Sequence, residues 1–218
     1  MTDSTPLAPQ PRGPLDHDVR TQIVDAATEH FSHYGYEKTT VSDLAKVIGF
    51  SKAYIYKFFD SKQAIGEVIC SNCLDTIMKA VDEATSTAPT ASERLRQAFK
   101  ALVEAGSALF FHERKLFDIA AAAASGPWPS ARAHEDHVRQ LIAQIIVEGR
   151  NSGEFERKTP LDETVSAIHL VMRPYVNPLL LQYNLDFAPE AAVQLSNLIL
   201  RSLAPYPHSV VTIDFIGH

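Results

Sequence analysis

No stretch of the chain holds about 18 apolar residues free of charge, the least a membrane-spanning helix requires, so no membrane partner is expected. The opening residues, MTDSTPLAPQPRGPL, have no apolar core of the kind a secretory leader carries, which makes a cytoplasmic location the expectation. Cysteine is scarce. Cys70 and Cys73 are the two present, which points to reduced thiols and not a disulfide framework. There is no Ser, His, Asp order, no H-E-x-x-H and no phosphate-cradling glycine loop, so an enzyme is poorly supported and no cofactor is expected. Strand-like alternation is missing until the VVTIDFI stretch at 210–216. The expected class is therefore all-α.

What is present fits a folded globular protein. The chain has 218 residues, 45% of them hydrophobic and 21% charged, enough for one large domain or two small ones with a sizeable core. The net charge of −6 argues mildly against nucleic acid. Its distribution says more. Residues 38–62 carry Lys38, Lys46, Lys52, Lys57 and Lys62 against Asp43 and Asp60, a local charge of +3. A short basic segment on an acidic body is compatible with a local DNA footprint, and equally with chance clustering.

Residues 1–15 contain four prolines and a glycine and read as a disordered arm. From 16 onward Val19, Ile23, Ala27, Phe31 and Tyr34 recur at helical spacing, and Gly35 supplies the stop. Thr40 followed by Asp43 is a capping pattern for a second helix whose apolar face is Val41, Leu44, Ala45 and Ile48, ended by Gly49. Ser51 caps a third helix over 52–58 and Ser61 a fourth over 62–84. Helices of about seven residues are not stable alone, so the second and third must pack on the first and fourth. Further helices are expected over 92–111, 113–124, 129–150, 161–183 and 189–203, nine in total. Pro174 and Pro178 interrupt the eighth, which either opens a cavity or bends the helix around a neighbour. This divides the chain into the arm 1–15, a compact head 16–62, a larger helical bundle 63–204 and a tail 205–218.

A helix, a glycine turn and a second short helix form the outline of a helix-turn-helix, in which one helix enters the major groove and its predecessor braces it. Over 23–65 the match becomes specific. Phe31, Gly35, Thr39, Thr40, Val41, Leu44, Ala45, Gly49, Ser51, Ile55, Tyr56, Phe59, Ser61, Lys62 and Ile65 fall in register with the signature of the TetR family, which this chain resembles. Phe50, Tyr54 and Phe58 depart from the usual pattern, so no operator sequence follows. The resemblance implies a homodimer on a double-stranded DNA operator. Thr40 and Ser42 would touch phosphate, and Ser51, Lys52, Ala53 and Tyr54 would stand at the start of the groove-reading helix. Tyr56 and Lys57 would meet the backbone, with Lys62 on a further phosphate. It also implies a small-molecule effector pocket in the middle helices, for which Phe110, Phe117, Trp128, His134, Met172 and Tyr175 are the candidates; simple core is the other reading of each. Val165, Ile168, Val171, Leu179, Leu180, Val193, Leu195, Leu198, Ile199 and Leu203 give the last two helices a broad apolar surface, which the resemblance assigns to a four-helix dimer interface.

Two other constellations stand outside that motif. Cys70 and Cys73 form a C-x-x-C on one helical face; packed cysteines are one reading and a redox or metal-responsive switch the other. His30 with His33, and His134 with His137, have metal-pair spacing and are equally ordinary surface or pocket histidines. The sequence thus points to a DNA-binding transcriptional regulator, a repressor released by a small molecule. The alternatives are a thiol- or metal-responsive regulator and a helical ligand-binding protein without DNA function.

Overall fold

The computed structural model describes residues 14–205. The greater part of the expected arm and tail, including the 210–216 stretch, lies outside the described residues. Ten helices are present among the described residues, and no strand.

The first helix, α1 (Pro14–Tyr34), starts slightly earlier than expected, at a proline whose missing N–H costs nothing in a first turn. It buries Ile23, Ala27 and Phe31 and ends where Gly35 takes φ 85, a left-handed conformation that glycine adopts without strain. The next helix, α2 (Val41–Ile48), is set by a full capping box. Asp43 N–H donates to Thr40 Oγ1 (3.2 Å), and Thr40 N–H donates to Asp43 Oδ2 (3.0 Å). Two otherwise unpaired helix-start donors are satisfied by these two bonds.

The third helix, α3 (Lys52–Ile55), is shorter than the expected 52–58. The chain continues past it in tightened turns, Lys57 N–H reaching Tyr54 O and Phe58 N–H reaching Ile55 O, one residue short of the α pattern. This winding lets both Ile55 and Phe59 reach the core from a segment too short to hold itself. The long α4 (Lys62–Thr85) then leaves the head, capped by Ser61.

The body consists of α5 (Ala91–His112), α6 (Arg114–Ser125), α7 (Pro129–Ser152), α8 (Leu161–Val176), α9 (Pro178–Leu181) and α10 (Ala188–Leu203). The expected eighth helix of 161–183 is two pieces. Pro174 is absorbed within α8, whereas Pro178 pushes Asn177 out of the helical region to ψ 123 and opens α9. Asn177 then caps the new helix, accepting from Leu180 N–H at 3.3 Å. One apolar cluster runs through the molecule, from Ile23 and Phe31 through Ile65, Ile69 and Phe99 to Ile145 and Ile199. Head and body therefore share a core.

Candidate nucleic-acid interface

Over residues 51–59, α3 and the tightened turns after it, the sequence divides cleanly by exposure. Ile55 is fully buried and Phe59 nearly so, while Ser51, Lys52, Ala53, Tyr56 and Lys57 are exposed. The inner side chains join the apolar core, with α3 packed against α2; the outer ones face solvent. Arg20 of α1 ties the far end down, donating to Phe58 O at 2.6 Å and lying 4.1 Å from the centre of the Phe59 ring. Tyr54 is half-buried, held edge-on between Phe50 (5.1 Å) and Phe58 (5.3 Å). Thus the three residues that depart from the family pattern form one aromatic stack. Lys57 Nζ sits 5.5 Å from the Tyr54 ring and Lys52 Nζ 5.8 Å from the Tyr56 ring, so both ammonium groups lie over aromatic faces on the exposed side.

Several candidate residues also make bonds within the chain. Ser51 accepts from Tyr54 N–H at 3.1 Å as the cap of α3. Thr40 donates its hydroxyl proton to Asp43 Oδ2 at 2.6 Å, and that hydrogen bond leads the causes that hold the Asp43 carboxyl below its usual range. Ser42 is half-buried on α2. Lys62 donates to Tyr36 O at 2.9 Å and lies 4.2 Å from the Tyr36 ring centre. It clasps the turn after α1 to the start of α4, which sequence spacing does not reveal. Burial, with Glu37 and Glu67 nearby, pushes the Tyr36 phenol up to about 12.

The joint between head and body centres on Tyr36 and Trp128. Their rings meet edge-on at 5.6 Å, and a Cβ at Gly66 would come within 2.9 Å of Tyr36 and 3.2 Å of Trp128. Glu67 beside it accepts from Ser130 N–H at 3.0 Å, anchoring the first turn of α7 to α4. Sequence reasoning placed Trp128 in the effector pocket. It lies buried at this joint, immediately after Pro127, which does line a cavity.

That cavity, about 170 Å³, lies between α4, α6, α7 and α8. Of the six pocket candidates only His134 lines it. Phe117 is buried and stacks edge-on with Phe110 at 4.9 Å, Met172 is buried, and Tyr175 is half-buried against the core. The lining is Leu74, Ala120, Val138, Val176 and neighbours on the apolar side, with Arg132, His134, Glu135, His169 and Arg173 as the polar groups. Glu135 Oε1 stands 3.6 Å from His169 Nε2 and 3.7 Å from Arg173 Nε. Burial depresses both imidazoles, His134 to about 4, so both are neutral at pH 7.

Cys70 is buried and Cys73 half-buried, and both are free thiols. Desolvation pushes each up to about 11. A thiol so protonated is a poor nucleophile, which favours the packed reading of this pair. Among the described residues no three of His, Cys, Asp and Glu are grouped to hold a metal ion. No helix there is long and apolar enough to cross a membrane.

A short exposed helix braced on its predecessor, ahead of a larger helical body, defines a helix-turn-helix DNA-binding protein. The model for bacterial regulatory proteins of the tetR family matches residues 23–68, and that for the tetracyclin repressor-like C-terminal domain matches residues 91–195. The chain belongs to the TetR family and is a transcriptional regulator with a DNA-binding helix-turn-helix, a family whose members are regulators and not enzymes. It is 31% identical over 87 residues to the HTH-type transcriptional regulator YhgD of Bacillus subtilis, covering 40% of this chain and 46% of that protein. It is 40% identical over 57 residues to the HTH-type negative regulator IcaR of the Staphylococcus aureus biofilm operon, covering 26% of this chain and 31% of that protein. The matches thus span less than half the length of these curated relatives. A transcriptional regulator from Cytophaga hutchinsonii shares the fold at TM-score 0.63 and 20% identity, over 85% of this chain and 98% of that one.

Proposed function

We propose that the protein is a homodimeric repressor that binds a palindromic operator through α3 and is released by a small-molecule effector held in the body. The observation that carries this reading is the split of α3 and the turns after it into a locked inner face, Ile55 and Phe59, and a free outer face of Lys52, Ala53, Tyr56 and Lys57 beside Tyr54. In this reading Lys52, Ala53 and Tyr54 face base edges, while Tyr56 and Lys57 meet the phosphate backbone. Ser51 and Thr40 act through the helices they cap, and Ser42 lies beside the α2 backbone contact. Lys62 gives one of its three N–H protons to Tyr36 and offers the others to phosphate. Negative regulation by IcaR supports repression as the outcome.

In this reading the dimer is two-fold symmetric. A two-fold pair sets its reading helices about one DNA turn apart, about 34–36 Å, and so selects inverted half-sites. An effector changes occupancy only through a differential affinity for the DNA-competent and DNA-incompetent geometries. Selection of random duplexes on the purified protein, followed by anisotropy titration of the winner at several salt concentrations, tests the reading. The expected result is an inverted repeat bound by two chains with steeply salt-dependent affinity. Enrichment of no common sequence, or binding indifferent to salt, overturns it.

A further inference from the structure

The cavity between α4, α6, α7 and α8 narrows the chemistry of what it can hold. This step rests on the effector-sensing reading above. An apolar cavity of about 150 Å³ takes up one benzene ring. A volume of about 170 Å³ therefore admits one ring or a short branched chain, and excludes a steroid or a long acyl chain. The α4 and α6 walls are apolar, with Leu74, Ala120 and Ala124. The α7 and α8 walls carry the charge.

On those walls two arginines face one carboxylate. Glu135 is already matched by Arg173 and lies close to His169, as described. Arg132 lines the same cavity, is exposed, and makes no ion pair among the described residues. Beyond the lining, Asp75 acts on His134 and Arg139 on His169, and these two charges cancel, so with both imidazoles neutral one positive charge is in excess. His134 Nδ1 and His169 Nδ1 are buried and have no hydrogen-bond partner among the described residues. Leaving such a nitrogen unpaired is costly, and the cost falls if the ring turns an N–H onto a ligand oxygen. A cation would add to the excess charge, and a fully apolar ligand would leave both nitrogens unanswered.

We propose that this cavity binds a compact monocarboxylate, its apolar body against Leu74, Ala120 and Val138 and its carboxylate on the side of Arg132, His134 and His169. The ring-sized volume sets the length of the ligand and the unmatched arginine sets its charge. The pairing of Glu135 with Arg173 keeps the cavity from favouring an amine.

The probes are benzoate, its neutral isostere benzamide, benzylamine and decanoate, titrated into the DNA-free protein by calorimetry. Trp128, the single tryptophan, follows Pro127 of the cavity wall and reports binding by fluorescence. Benzoate is expected to bind one per chain, about tenfold or more tighter than benzamide, the worth of one charge-assisted contact. Benzylamine and decanoate are expected not to bind. Arg132→Ala, at an exposed position, should cut benzoate affinity by about tenfold and leave benzamide within about twofold. His134→Gln should also weaken benzoate selectively. Benzamide binding as tightly as benzoate, a preference for benzylamine, benzoate indifferent to Arg132→Ala, or no binding at millimolar concentrations would each overturn the proposal. Because the titration contains no DNA, these failures leave the operator reading untouched. Benzoate that binds as described yet leaves operator affinity unchanged upholds the site and overturns effector release instead.

Discussion

At the scale of single residues, the candidate interface separates side chains that read from those that hold. Tyr54 is proposed to do both, since its ring is fixed between Phe50 and Phe58 within the segment proposed to meet DNA. An alanine there removes two edge-to-face contacts, each worth about 0.5–1.5 kcal/mol, and so confuses packing with recognition. Tyr54→Phe keeps the stack. It should lower affinity for the selected operator by about tenfold, leave affinity for random DNA unaltered, and leave thermal stability within about 0.5 kcal/mol. Unchanged operator selectivity in a competition titration removes Tyr54 from the reading role. Lys57→Ala should act differently, weakening all duplexes alike and lowering the slope of log K against log salt by about one. An unaltered slope places Lys57 off the DNA. Sequence spacing alone put both residues on this helix. The aromatic stack and the Lys62 clasp on Tyr36 were not legible, because each joins residues through the fold and not through helical period.

At the scale of elements, most boundaries were legible because capping residues and glycines stand at them. Thr40 with Asp43, Ser51, Ser61, Gly35 and Gly49 all stand at helix ends. The α8 and α9 division was read as one interrupted helix, since Pro174 and Pro178 look alike in sequence while only Pro178 has an extended residue before it. The end of α7 shows a second kind of hidden constraint. Gly149 lies under the Phe155 ring, and a Cβ there would stand 2.1 Å from a ring carbon. Glycine in a helix costs about 1 kcal/mol relative to alanine, so propensity alone predicts that Gly149→Ala stabilises. Displacing a buried ring costs about 1–3 kcal/mol, and the ring cannot yield while Phe155 is 3% exposed and its N–H is tied to Gly149 O at 3.0 Å. The clash wins, and Gly149→Ala should lower the urea midpoint; a raised midpoint shows that Phe155 moves freely. Glu154 caps α5 from a distance, accepting from Ala91 N–H and Ser92 N–H at 3.0 Å each. Burial pushes its carboxyl up, but the hydrogen bonds from Ser92, Ala91 and Ser152 outweigh this and hold it below the ordinary carboxylate range. A pKa lower in the folded than in the unfolded chain stabilises above the unfolded value of about 4.3 and is lost as pH falls through the folded value. Glu154→Gln should therefore cost about 1 kcal/mol at pH 7, and its deficit against the parent should close below about pH 4. A deficit constant with pH removes the charge from the explanation.

At the scale of the whole molecule, the apolar surface of the last helices divides into buried and exposed parts that sequence could not separate. Val165, Ile168, Ile199 and Leu203 are core within one chain, and Leu179, Leu180 and Leu195 are half-buried. Leu170 and Val171 on α8, with Val193 and Leu198 on α10, remain exposed, at 59%, 38%, 59% and 56%. These two helices pack on each other. Between them they leave exposed apolar side chains that, in the proposed dimer, would meet a second copy of the chain in a four-helix interface. A charge placed at the centre of such an interface is left unpaired and desolvated, whereas in a lone chain Leu198 already faces water. Leu198→Glu should therefore leave helicity and the Trp128 fluorescence of the folded chain intact while sedimentation shows a single chain. Operator binding follows from that. In a dimer the second head meets its half-site at an effective concentration in the millimolar range, and this linkage is worth about 10²–10⁴ in affinity. The variant should lose about that factor on the inverted repeat and almost nothing on an isolated half-site, with its salt slope per chain unchanged. If Leu198→Glu still sediments as a pair, the interface lies elsewhere on the molecule. If it sediments singly and still grips the repeat as tightly as the parent, the coupling of two heads through α8 and α10 is not what selects the operator.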